Sequence, residues 1–267
     1  MNSKFRTIEI SNPEFESDNL RFTTVKTPNL KGRGDICVYV PNVQLTPDIP
    51  LVILLHGVYG SAWIWSQKAG VHRTAEQMIS EQKIQPMVIA MPSDGLWGDG
   101  SAYLSHNNLN FEKWIAEDVI NAVKEGVKEV TDNSKIFISG LSMGGYGALR
   151  IGAKYPNIFS GFSGLSSITD LPQMSLFVEE DLEHYQQTTS KETSVFEIIK
   201  KNKNSIAPFR FDCGENDELI AYNRKLHEEL LHQNIPHIYE EFSGKHEWSY
   251  WEHNIKHSLL FFNKLLS

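Results

Sequence analysis

The chain has very little cysteine. Cys37 and Cys213 are the two it carries in 267 residues, far apart and without a CxxC or zinc-type spacing. A disulfide scaffold and a local thiolate metal site are thereby excluded, and two buried free thiols are the expectation. Basic charge is scarce too: Lys plus Arg number 25 against 33 Asp plus Glu, a net charge of -8, so the footprint of a nucleic-acid or anionic-membrane partner is missing. Long hydrophobic runs are absent. Leu51 to Leu55 falls far short of a bilayer span, and Met1 to Ile10 has no apolar stretch of the secretory kind, which points to the cytoplasm. There is no internal repeat and no low-complexity segment.

What is present is ordinary for a globular protein, with 40% hydrophobic and 22% charged residues, and a length that one α/β domain over residues 1–267 accommodates. Phe5 to Ile10, Leu20 to Lys26 and Ile36 to Val40 read as antiparallel edge strands punctuated by Pro13, Pro28, Gly32-Arg33-Gly34 and Pro41. Leu51 to Leu55 and Met87 to Met91 are nearly continuous apolar runs, as expected of strands buried on both faces of a parallel sheet. A helix is predicted between them, from about Val71 to Gln82, and another over Phe111 to Val130 from its apolar period. Further strands are predicted at Ile136 to Ile138, Phe159 to Leu165, Phe209 to Cys213 and Ile238 to Phe242, with helices over Asp217 to Gln233 and Trp248 to Leu266. The alternation predicts an α/β fold with a mainly parallel central sheet flanked by helices. Residues 168–206 break the rhythm with an acidic cluster and a basic run. They read as an insertion, either a short lid or a solvated loop with a surface helix.

The segment from Ser134 to Arg150 passes from a β-forming run through Gly140-Leu141-Ser142-Met143-Gly144 into a helical sequence. A serine at such an elbow is held in a strained turn beside the free amides of a helix start, which makes Ser142 the candidate nucleophile. Its hydroxyl needs a base and the base needs an orienting carboxylate; where this motif is catalytic the chain order is Ser, then acid, then His. Downstream, Asp212-Cys213-Gly214-Glu215-Asn216-Asp217-Glu218 closes one predicted strand and Ser243-Gly244-Lys245-His246-Glu247-Trp248 follows another. His246 is the candidate base and Asp217, which follows the Gly214 turn, the candidate acid; Glu215 is held in reserve, and Asp212 is set aside because it lies within the strand. For the oxyanion hole the candidate donors are the backbone amides of Met143 and of Val58, in His56-Gly57-Val58-Tyr59-Gly60, with His56 supporting that loop. Trp63, Trp65, Trp97 and Tyr103 offer either an aromatic wall or ordinary packing. No cofactor and no metal are expected: His253 and His257 lack a third ligand, and His227 and His232 are five apart rather than four.

Four blocks, Leu54-Leu55-His56-Gly57, Gly140-Leu141-Ser142-Met143-Gly144-Gly145-Tyr146-Gly147-Ala148, Cys213-Gly214-Glu215-Asn216-Asp217 and Gly244 to Trp251, give the chain its resemblance to the putative-esterase (esterase D-like) family of α/β-hydrolases. The resemblance implies the α/β-hydrolase fold and a serine carboxylic-ester hydrolase acting on a small-molecule ester through Ser142, Asp217 and His246. Within the family it looks closer to simple esterases and carbohydrate (feruloyl or acetyl) esterases than to S-formylglutathione hydrolases, because their cysteine-containing loop segment is absent. Acyl transfer to an alcohol and a catalytically silent binding module on the same fold are the alternatives.

Overall fold

The computed structural model describes residues 3–266; Met1, Asn2 and Ser267 of the expected 1–267 domain lie outside the described residues. The strands are β1 (Thr7–Ile10), β2 (Leu20–Thr27), β3 (Gly32–Tyr39), β4 (Leu51–Leu55), β5 (Val88–Pro92), β6 (Ser105–His106), β7 (Leu109–Asn110), β8 (Ile136–Leu141), β9 (Phe159–Leu165), β10 (Phe209–Gly214) and β11 (Ile238–Phe242). Nine of them form one sheet in the order β1-β2-β3-β5-β4-β8-β9-β10-β11, and β6 and β7 make a separate hairpin. Pairing is antiparallel from β1 to β5 and parallel from there to β11. β1, β2 and β3 follow one another through short connections and pair antiparallel, and β3 also pairs antiparallel with β5, whereas the parallel pairs from β5 to β11 require crossovers that carry the helices.

Those crossovers and the flanking segments supply α1 (Ile64–Gln67), α2 (Val71–Ser80), α3 (Phe111–Lys113), α4 (Ile120–Gly126), α5 (Met143–Lys154), α6 (Val195–Asn202), α7 (Ile220–His232) and α8 (Trp248–Lys264). Every residue of β4, β5, β8 and β10 is buried, as strands covered on both faces require. No helix among the described residues is long and apolar enough to cross a membrane. Cys37 and Cys213 are free and buried, and burial pushes the Cys37 thiol up to about 11.

Two local expectations are revised. Gly32 and Gly34 do not end a strand but lie within β3, where a Cβ at Gly34 would sit 2.6 Å from the Trp114 ring. The predicted helix over Phe111 to Val130 is broken: a π-helical stretch, Trp114–Val119, separates α3 from α4, and the chain turns extended at Val127. The Trp114 indole N–H donates to the Ser93 carbonyl at 2.7 Å, a buried tertiary bond with no signature in the helical period.

Residues 168–206 form a series of 3₁₀ turns (Leu171–Leu176, Leu182–Tyr185, Ser190–Glu192) followed by α6. A bridge between Asp170 and Ser194 closes the base of this excursion. Its crest is tied to the loop after β5: Asp99 N–H donates to Glu180 Oε1 and Glu179 N–H to Asp99 Oδ2, both at 2.8 Å, while Tyr185 hydroxyl donates to the Gly100 carbonyl at 2.8 Å.

Candidate active site

Ser142 occupies the turn between β8 and α5 with φ +53° and ψ -119°, a conformation costly for a residue with a side chain. The surroundings enforce it. A Cβ on Gly140 would come within 2.3 Å of the Gly144 carbonyl oxygen, and one on Gly144 within 2.3 Å of the Leu55 carbonyl oxygen, so strand, helix and β4 meet too closely for any side chain there. The Ser142 amide is fixed by the Leu165 carbonyl of β9 at 2.9 Å, and the Ser142 carbonyl accepts from Tyr146 N–H at 3.0 Å.

The other expected residues converge on this turn from the same ends of β10 and β11, which matches where open parallel sheets bind ligands. His246 Nε2 lies 2.9 Å from Ser142 Oγ. On the opposite edge of the ring, His246 Nδ1 lies 2.9 Å from Asp217 Oδ2 and 3.1 Å from Asp217 Oδ1. Asp217 is positioned by its own turn, with its N–H donating to the Gly214 carbonyl at 3.0 Å and its Oδ1 accepting from Leu219 N–H at 2.8 Å. Its side chain is fully buried, whereas that of His246 keeps 14% exposure. Glu215, the reserve acid, points to solvent. Asp212 stays out of the site for a reason other than the backbone contacts expected of a strand residue. It is paired with Arg210 Nη1 at 2.7 Å and accepts from the Tyr250 hydroxyl at 2.7 Å.

The His56–Gly60 loop leaves β4 directly beside Ser142: a Cβ on Gly57 would stand 2.9 Å from Leu141 Cδ1 and 3.4 Å from Ser142 Cβ. Gly100 is wedged between the side chains of Val58 and Met143, so the two expected donor residues are neighbours in space. Among the described residues neither amide has an acceptor; Met143 opens α5, where the first N–H groups have no partner within the helix. His56 is 1% exposed and works as a brace: Nδ1 contacts the Gly57 carbonyl at 2.7 Å and Nε2 accepts from Asp94 N–H at 3.1 Å. The Tyr103 hydroxyl donates to the His56 carbonyl and the Trp65 indole N–H to the Leu55 carbonyl, each at 3.0 Å. Two of the four residues offered for an aromatic wall are therefore buried supports. Trp97 packs against His106 and Tyr185, and Trp63 is the exposed one.

Sequence reasoning missed the rings that flank His246. Phe177, from the insertion, stacks on the imidazole with centroids 5.0 Å apart and planes 23° apart, and Trp251 of α8 meets it edge-on at 4.9 Å and 88°. A cleft of about 730 Å³ runs between the insertion and α7, lined by Asp170, Leu176, Ser190, Thr193, Phe196 and Tyr222 among others. Among the described residues no group of three or more His, Cys, Asp or Glu is placed to hold a metal. His227 and His237 instead pair with each other at 2.7 Å.

A mainly parallel sheet with a strained serine elbow, and a histidine and a carboxylate delivered from later strand ends, defines the α/β-hydrolase class. Solved structures agree in fold: a ferulic acid esterase superposes with a TM-score of 0.79 at 18% identity, covering 99% of this chain and 100% of its own. An S-formylglutathione hydrolase from Agrobacterium tumefaciens gives 0.78 at 17% identity, covering 98% and 99%. The family model described as "Putative esterase" matches residues 27–262, and the chain belongs to that family; it is an ester hydrolase. An acetyl esterase of Caldicellulosiruptor saccharolyticus is 28% identical over 238 residues, 82% of this chain and 85% of the relative.

Proposed function

We propose that the chain hydrolyses a small carboxylic ester through an acyl-enzyme on Ser142. The observation that carries this reading is the continuous path Ser142 Oγ, His246 Nε2, His246 Nδ1, Asp217 Oδ2, with hydrogen-bond distances of 2.9 Å at both ends of the imidazole. His246 Nε2 takes the hydroxyl proton as Oγ attacks the ester carbon, and the resulting oxyanion receives the amides of Val58 and Met143. Collapse expels the alcohol, which leaves with the proton held on His246. Water then attacks the acyl carbon with His246 again as base, releases the acid and returns the proton to Ser142. Asp217 holds the Nδ1–H tautomer and stabilises the imidazolium formed in each half.

Likeness to the acetyl esterase favours a short acyl group, acetyl before longer chains. Residues 168–206 belong to the same catalytic domain and cover one side of the entrance. Hydrolysis of p-nitrophenyl acetate by the wild type and by Ser142→Ala tests the reading. Loss of turnover in the variant is expected, and retained turnover would refute it.

A further inference from the structure

The imidazole of His246 uses its two nitrogens on Ser142 and Asp217, which fixes the ring's edge but leaves rotation about the line between them to be restrained by what lies on its faces. On one side stands the Phe177 ring, nearly parallel at 5.0 Å; Trp251 meets the imidazole perpendicular at 4.9 Å. Phe177 does not reach this place by chance collapse of a surface loop. Its amide donates to the Met174 carbonyl at 2.9 Å, its carbonyl accepts from the Tyr59 hydroxyl, and the two residues that follow Val178 are clasped to Asp99 through Glu179 N–H and Glu180 Oε1. Tyr59 adjoins Val58, so the segment that carries Phe177 is bonded to the loop that supplies the proposed oxyanion donor.

We propose that Phe177 is a positioning residue for His246, and that the insertion thereby forms part of the reaction machinery. The inference rests on His246 serving as the base of Ser142. An aromatic ring stacked on an imidazole confines it by contact, and its π face attracts the ring more strongly once the imidazolium forms, which is where catalysis needs stabilisation. A water-filled gap in its place would let the imidazole tilt, and misplacement of a catalytic group by about 1 Å costs up to about 10²-fold in rate.

The test compares Phe177→Ala, Phe177→Leu and Phe177→Tyr with the wild type on ethyl acetate and p-nitrophenyl acetate, with Ser142→Ala alongside. The alanine variant should lose about ten-fold or more in kcat while KM stays within about two-fold, the pattern of a contact made with the catalytic group rather than with substrate. The tyrosine variant, which keeps the stacked ring, should restore kcat to within about two-fold, and the leucine variant should fall between. Thermal midpoints of the three variants identify any that are misfolded, and the leucine variant, which keeps bulk at the position, carries the kcat comparison if alanine unfolds the segment. An alanine or leucine variant with wild-type kcat, or one whose loss lies wholly in KM, overturns the proposal while an inactive Ser142→Ala leaves the serine mechanism standing. An active Ser142→Ala would instead remove the reading on which it rests.

Discussion

His56 Nδ1 and the Gly57 carbonyl oxygen are 2.7 Å apart, and the plane they fix is the Gly57–Val58 peptide. In a trans peptide the carbonyl and the next N–H point in opposite directions, so holding the oxygen aims the Val58 amide. The ring itself is held by Asp94 N–H on Nε2, which leaves the proton on Nδ1 as the donor to Gly57. Replacing His56 by Ala should therefore lower kcat by about 10²-fold with KM little changed, comparable to losing one oxyanion donor. Steady-state kinetics on an acetyl ester check this, and a loss confined to KM would contradict it.

Asp217→Asn should cost about 10³- to 10⁴-fold in kcat, because an amide at that place presents the wrong partner to the Nδ1–H tautomer. Glu215→Gln, at an exposed position two residues earlier, should stay within about two-fold of wild type. The reverse ranking would move the acid role to Glu215.

Gly144→Ala should fail to fold stably, since its Cβ would fall 2.3 Å from the Leu55 and 2.5 Å from the His56 carbonyl oxygens, both backbone atoms where β4 ends. A melting temperature equal to wild type would show that the elbow has room it does not display.

Stability should fall in mild acid. His72 of α2 is 4% exposed and neither ring nitrogen has a hydrogen-bond partner among the described residues. Burial first, then the Arg73 cation, hold its pKa below the usual histidine range against the opposing pull of Asp18 and Glu76. The unfolded chain titrates near about 6.5, so below that pH it binds more protons than the folded one. The stability is present above this range and is lost as pH falls towards the lowered folded value. His106, His237 and His257 are lowered mainly by burial and act in the same direction. Urea midpoints should drop between about pH 7.5 and about pH 5.5, and His72→Gln should flatten the drop; an unchanged slope would assign it to other groups.

Asp212→Ala should destabilise by about 3 kcal/mol or more, because it strands Arg210, whose side chain is 2% exposed, beside an empty carboxylate position. Chemical denaturation measures it. A cost below about 1 kcal/mol would mean that Glu240, at 2.8 Å from Arg210 Nη2, carries the cation alone.

Much of this arrangement could be read in the sequence, since each part of it has a local signature. The parallel strands are unbroken apolar runs, the elbow needs glycine at 140 and 144, and Asp217 and His246 each follow a strand within a glycine-marked turn. What could not be read depends on contacts across the fold. Gly34 looks like turn punctuation until Trp114 is seen filling the space above it, and neither the π-helical stretch nor the indole bond from Trp114 to Ser93 has a signature in the helical period. Phe177 is one apolar residue in an irregular segment; only the Tyr59 and Asp99 contacts show that it is carried to His246. Trp65 and Tyr103 invite a wall reading because their type gives no hint that each is spent on a backbone carbonyl.

The proposed mechanism requires Ser142 to become covalently acylated during turnover. Intact-mass analysis of protein quenched in acid milliseconds after mixing with p-nitrophenyl acetate measures this directly, with peptide mapping to locate the adduct. A single added acetyl group on Ser142, missing in Ser142→Ala and accumulating in His246→Ala far more slowly, is the predicted result. Turnover at the wild-type rate with no acetyl on Ser142 at any quench time in the burst, or with the adduct on another residue, would contradict it.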